Sequence, residues 1–238
     1  MDQITGEELV STTFSPPSTD RRSVRTRCAL RQALADEIEA TGDLSRVTVT
    51  AVTERAGVTR RTFYSHFKDI PDLVNQIEEE TLAEFRPLLE RLAQSHLDEL
   101  RAELELGHPA PGSEELLACV RDRGSYLRPL LGEGGDPRFA ERIKLMAHDV
   151  LEPRASEGLD SRVIQTLLDY YLTFAISAEF GVLLRWLSTG MHESVHSMAC
   201  LMTGLMFVRP GDLYDNPIDF DITSFALSAL SSEEEDPQ

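Results

Sequence analysis

Twice between Val47 and Phe67 the chain writes Val-Thr ahead of a short helical run, and no other feature constrains its fold as strongly. Thr48 fits the N-cap of a helix over about Val49–Ala56, with Val47 before the cap able to pack on Val52 as a hydrophobic staple. Thr59 caps a second run, about Arg60–Phe67, and Val58 can staple to Phe63 in the same way. Phe63 and Phe67, four residues apart, share one face and point inward. Gly57 lies between the two runs, where a left-handed residue ends a helix at least cost. Two short helices joined by a tight glycine turn form a helix-turn-helix pattern.

Helical periodicity governs most of the remaining sequence. A helix over about Ser23–Ala40 places Leu30, Leu34 and Ile38 on one face, and Gly42 ends it. Another is expected from Pro71 to about Leu106, kinked or broken at Pro87. After a loop at 107–112, further helices are expected over about Ser113–Leu131, Pro137–Leu151, Asp160–Ser188 and Glu193–Val208. The segment 219–229 is ambiguous. No convincing strand alternation appears, so the fold class is all-α. Residues 1–20 are rich in Ser, Thr and Pro and are expected to be disordered. The acidic end 231–238 is expected to be a solvated tail.

Charge divides the chain sharply. The whole carries 23 basic and 41 acidic residues, a net charge of −18, which argues against a polyanionic partner. Residues 21–68 nevertheless hold ten bases against five acids, while 69–238 hold 13 against 32. A small polyanion-binding module on a body that does not touch the polyanion fits this asymmetry. The domains are therefore read as 21–68, a DNA-binding head, and 69–230, a helical body.

The basic module has the chemistry to read DNA. The second helix of such a pair enters the major groove, with its first turn toward the base edges. Here that turn is Arg60-Arg61-Thr62. Arginine pairs bidentately with guanine O6 and N7, and threonine offers a methyl and a hydroxyl. Tyr64, His66 and Lys68 follow on the polar side, within reach of phosphates. Arg21, Arg22, Arg25 and Arg27 form a candidate arm along the backbone or in the minor groove.

The stretch from Val47 to Phe67, with its Ala-Gly-Val turn, Thr-Phe-Tyr recognition segment and following His-Phe, resembles the N-terminal domain of the TetR family of bacterial transcriptional regulators. The similarity covers about 23–75. It implies a three-helix DNA-binding head on an all-α body that binds a small-molecule effector and dimerises. It implies a homodimer on a pseudo-palindromic double-stranded operator, acting as a repressor in the cytoplasm. By position, Thr50, Arg60, Arg61 and Thr62 match base-proximal residues. Thr59, Tyr64, His66 and Lys68 match residues in or near the phosphate contacts, and Thr48 joins the DNA-facing set. One departure stands out: the family usually has Lys at the start of the fourth helix, and this chain has Ile70-Pro71. Lys68 is the candidate replacement.

A weaker resemblance, over about 115–208, links Tyr126–Leu131, Gly135–Phe139 and Gly181–Met191 to dihydroxyacetone-kinase-regulator-like members of the family. The last two long helices are the expected dimer interface. Asp160–Ser188 is apolar on more than one face, and Met198, Met202 and Met206 could pack on a symmetry mate. Candidate effector-pocket residues are Tyr126, Phe139, Met146, His148, Tyr170, Phe174 and Trp186, although a core role is the commoner fate of each. Glu179, inside the most apolar run, is either a buried carboxylate seeking a partner or a helix-edge residue.

Other functions find less support. The sequence has no phosphate-binding glycine loop and no GxSxG elbow, so an enzyme is not expected. No cofactor is expected. His192 and His196 have metal-ligand spacing but no completing ligands, so no metal site is expected. Cys28, Cys119 and Cys200 read as structural thiols inside apolar patterns. No run approaches the length of a membrane span and no secretory core appears, so no membrane is expected. A TetR-like fold that has lost operator binding and acts through protein partners is the alternative, resting on Ile70 alone.

Overall fold

The computed structural model describes residues 18–95, 97–158, 161–208, 221 and 224. Among these every regular element is helical. The expected tails at 1–17 and 231–238 lie outside the described residues, as does 219–229 apart from Asp221 and Ser224.

Helix α1, Ser18–Thr41, buries Leu30, Ala33, Leu34 and Ile38. It begins five residues before the expected Ser23, so Ser18–Asp20 are helical rather than disordered. A 3₁₀ turn at Leu44–Arg46 leads into α2, Val49–Arg55, and α3, Arg60–Tyr64. Helix α3 is shorter than expected, because the chain turns at Ser65 and His66 before α4, Ile70–Leu92.

Pro87 lies inside α4 and does not end it. A buried stripe of Ile70, Leu73, Val74, Ile77, Thr81 and Phe85 holds the helix on the core. Pro87 and Ala83, whose carbonyl loses its donor, both lie on the exposed side, where water replaces the lost bond. The expected single helix to Leu106 instead breaks after that stripe ends, and α5, Leu97–Glu105, follows.

The expected helix over 113–131 is also two: α6, Ser113–Asp122, and α7, Gly124–Leu131. Gly124 lies against the Met191 side chain, where a Cβ would collide, so the glycine admits close approach at the break. Helices α8, Pro137–Ala155, α9, Arg162–Ser188, and α10, Val195–Leu205, complete the described fold.

The head is clamped to the body. Helix α1 packs on α7, and Arg128 of α7 pairs with Glu39 of α1. The Arg31 guanidinium lies 4.6 Å from the centroid of the Tyr126 ring. The Tyr126 hydroxyl is 3.1 Å from the Thr81 hydroxyl on α4. The Leu44 amide donates to the Gly134 carbonyl at 2.8 Å. Farther along α4, buried Glu78 accepts from Arg142 of α8 at 2.6 Å. Burial raises the Glu78 carboxyl above its ordinary range, and the nearby Asp136 charge adds to this, while Arg142 opposes it.

Candidate nucleic-acid interface and the body around it

Both expected caps form. The Thr48 hydroxyl accepts the Ala51 amide at 3.2 Å, and the Thr59 hydroxyl accepts the Thr62 amide at 3.1 Å. Gly57 takes φ +65°, so the chain reverses with the Val58 amide bonded to the Thr53 carbonyl at 3.0 Å. Val52 and Phe63 are fully buried, and Val47, Phe67 and Ile70 join them in one core with α1 and α4. Arg55 of α2 pairs with Glu37 of α1 at 2.6 Å. The head is thus closed by its own side chains before any ligand arrives.

Packing this inner face turns the polar residues outward. Thr48, Thr59, Arg60, Arg61, Tyr64 and Lys68 are exposed, while Thr50, Thr62 and His66 are half-buried. Tyr64 is 58% exposed yet its ring stands edge-on to Phe63, which fixes the direction of its hydroxyl. The Arg60 guanidinium donates to the Thr50 hydroxyl at 2.6 Å, a bond from α3 to α2 that spacing alone did not reveal. Among the described residues Arg21, Arg22, Arg25, Arg60, Arg61 and Lys68 enter no ion pair. Arg27 of the expected arm is instead paired with Glu80. Ile70 is buried, so the residue at the family's usual lysine position belongs to the core and Lys68 is the nearest exposed cation.

The candidate pocket residues divide between the core and the surface. Tyr126, Phe139, Met146 and Trp186 are core residues, at most 5% exposed, whereas Tyr170 and Phe174 are 66% and 70% exposed. Aromatic and sulfur side chains at helical spacing fill cores more often than pockets, and four of these do. A different cavity, of about 470 Å³, opens between α8 and α9 and is lined by His148, Asp149, Glu152, Gln165 and Asp169 among others. His148 lies 3.0 Å from Asp169 across it. Of this lining, only His148 was a sequence candidate. The others belong to two helices whose relative register no local pattern encodes.

The cysteines also depart from expectation. Cys28 is exposed, and Cys119 and Cys200 are half-buried, so none is a fully buried structural thiol. Burial raises the Cys119 thiol. Glu179 is half-buried beside Phe180, and desolvation alone pushes its carboxyl up to about 7.

Helix α9 corrects a further expectation. Its 27 residues contain a stretch long and apolar enough, by length and composition, to cross a membrane, and only 6% of that stretch is buried. Ile164, Tyr170, Tyr171 and Phe174 on α9, and Leu201 and Leu205 on α10, are all exposed. Among the described residues, no group of three potential ligands is arranged to hold a metal ion.

Comparison with known proteins agrees with a regulator built from these parts. Residues 33–77 match the family described as "Bacterial regulatory proteins, tetR family", and residues 107–207 match "Transcriptional regulator C-terminal region". Together the two matches span more than half of the chain. An uncharacterized HTH-type transcriptional regulator of Bacillus subtilis (strain 168), YxbF, is 34% identical over 65 residues, 27% of this chain and 17% of that protein. A TetR transcriptional regulator from Streptococcus agalactiae 2603V is similar at 21% identity and a TM-score of 0.49, covering 79% of this chain and 96% of that one. The fold and head define a helix-turn-helix transcriptional regulator, which is a class of non-enzymes. The chain belongs to the TetR family.

Proposed function

We propose that this regulator is a cytoplasmic repressor that binds a palindromic double-stranded DNA operator as a homodimer and is modulated by a small-molecule effector. The observation that carries the operator reading is the cationic surface of α3 and the turn after it, whose cations enter no ion pair among the described residues. Arg60, Arg61 and Lys68 face solvent beside Tyr64, on a scaffold locked by two threonine caps. Arg60, Arg61, Thr62 and Thr50 read bases, while Thr48, Thr59, Tyr64, His66 and Lys68 hold the backbone. With Ile70 in the core, each head has one phosphate contact fewer unless Lys68 supplies it.

The uncovered apolar surface of α9 and α10 supports the homodimer. One five-residue recognition helix reads too few bases for useful specificity, so a second copy serves both needs. The effector would act by favouring one spacing of the two heads over another.

Fluorescence-anisotropy titration against the upstream DNA of its own gene, backed by an unbiased operator selection, tests the reading. Specific binding with a steep salt slope is expected, and Arg60→Ala should cost about 1–3 kcal/mol. If a folded dimer selects no sequence, the operator reading fails and action through protein partners replaces it.

A further inference from the structure

On the flank of α10, away from the head, three side chains stand in the order of a nucleophile, its base and an orienting acid. His196 lies between Glu114 of α6 and Cys200, one turn further along α10. The Glu114 carboxylate can only accept, so the His196 Nδ1–H donates to its Oε1, at 2.7 Å. In the neutral ring that fixes the tautomer and leaves Nε2 as the acceptor, 3.7 Å from the Cys200 Sγ. A nucleophile within reach of a base that a third group orients is the arrangement by which proteins activate thiols. Cys200 is half-buried and His196 is exposed, so a small reagent can reach both. The thiol also faces the Gly107 carbonyl at 3.8 Å, which can hold the S–H but offers nothing to a thiolate. The three groups do not form a metal site.

We infer that Cys200 is a covalent modification site for soft carbon electrophiles of the α,β-unsaturated carbonyl class, with His196 as its proton acceptor and Glu114 as the positioning residue. The Sγ–H bond breaks and its proton passes to Nε2. The sulfur lone pair forms a C–S bond to the β-carbon, and the π pair moves to the carbonyl oxygen as an enolate. The imidazolium then returns the proton to the α-carbon. The reaction is a net addition with no leaving group and no change of oxidation state. It needs no partner residue from another chain.

The other two cysteines serve as internal references. Cys28 is exposed, with the Arg31 guanidinium 3.8 Å away, and Cys119 is raised by burial. The experiment treats the full chain with limiting N-ethylmaleimide at pH 7 and follows each adduct by peptide mass spectrometry. His196→Gln should slow adduct formation at Cys200 by at least about tenfold, a threshold set below the roughly 100-fold lower end of what a positioned base contributes, and leave the Cys28 rate unchanged. Glu114→Gln should slow Cys200 by a smaller factor, since the base stays but loses its orientation. Both are surface substitutions, and matched circular dichroism spectra confirm that the fold is retained. An unchanged Cys200 rate in His196→Gln, or a wild-type Cys200 slower than Cys119, would overturn the inference. The chemistry stands apart from the operator reading, and its test uses no DNA.

Discussion

The two ends of the described chain solve the problem of apolar surface in opposite ways. In the head, Val52 and Phe63 are fully buried by neighbours from α1 to α4, and the polar residues face out. At the other end, α9 and α10 leave Tyr170, Phe174, Leu201 and Leu205 to solvent. Large apolar side chains left exposed together along one helix, as Tyr170, Tyr171 and Phe174 are on α9, are a mark of an interaction surface. The head buries its apolar residues within one chain, whereas the C-terminal helices leave theirs uncovered in it, as the proposed homodimer requires.

The sharpest way to break this comparison is Phe63→Ala. Removing a fully buried aromatic from the head core should cost about 3–5 kcal/mol. The loss should not depend on protein concentration, since no second copy contributes to that core. Denaturant unfolding at two concentrations checks it. A difference from wild type that changes with concentration would show that the head, too, is completed by assembly.

Phe174→Asp tests the opposite end. Phe174 is 70% exposed in the single chain, so the substitution should barely alter the stability of a monomer. If α9 packs on a second copy, it places an unpaired charge in an apolar contact and should weaken association by about 2 kcal/mol or more. Analytical ultracentrifugation should show a shift toward monomer with operator affinity falling in parallel. An unchanged oligomeric state would place the partner surface elsewhere.

The two ends also differ in how much of them was legible in the sequence. The head was readable because its determinants are local: a threonine cap acts three residues away, a staple spans five, and Gly57 acts at its own φ. The ends of α4 and the division of α6 from α7 were not. They depend on where a buried stripe stops and on Met191 lying against Gly124, contacts made across the fold. For the same reason Tyr126 and Trp186 could be ranked as aromatic but not placed, and the cavity between α8 and α9 went unseen. The Glu114–His196–Cys200 order was half visible as an i, i+4 pair on α10. Its acid comes from α6, 82 residues earlier.

Glu179 sharpens the contrast within α9, because desolvation acts on it in the single chain. Its folded pKa, about 7, lies above the ordinary 4.5. The folded state therefore holds a proton that the unfolded state has released across that window. Stability is highest near the lower value, falls as pH rises toward 7, and stays low above it. Glu179→Gln removes the penalty and should raise stability at pH 8 by roughly 1–3 kcal/mol, discounted for partial contact with water. Near pH 4.5 the two proteins should differ little. Thermal melts at both pH values decide, and an equal difference at both would mean that charge is not the cause.

The smallest expected effect returns to the head and asks how finely a closed scaffold sets its reading surface. Arg60 donates to the Thr50 hydroxyl at 2.6 Å, so one of its donors is already committed before DNA arrives. The remaining edge of the guanidinium is then held in a fixed direction, which lowers the entropy lost when it meets a base. Thr50→Val keeps the β-branched shape but removes the acceptor. Because Thr50 is only half-buried, the fold should be retained. Operator affinity should drop by about 1 kcal/mol, the worth of one hydrogen bond, with the salt slope unchanged because no phosphate contact is lost. The discrimination lost should fall at the bases read by Arg60 and by Thr50 itself and nowhere else. A uniform loss across all operator positions would instead mean that Thr50 supports the head as a whole and does not aim that arginine.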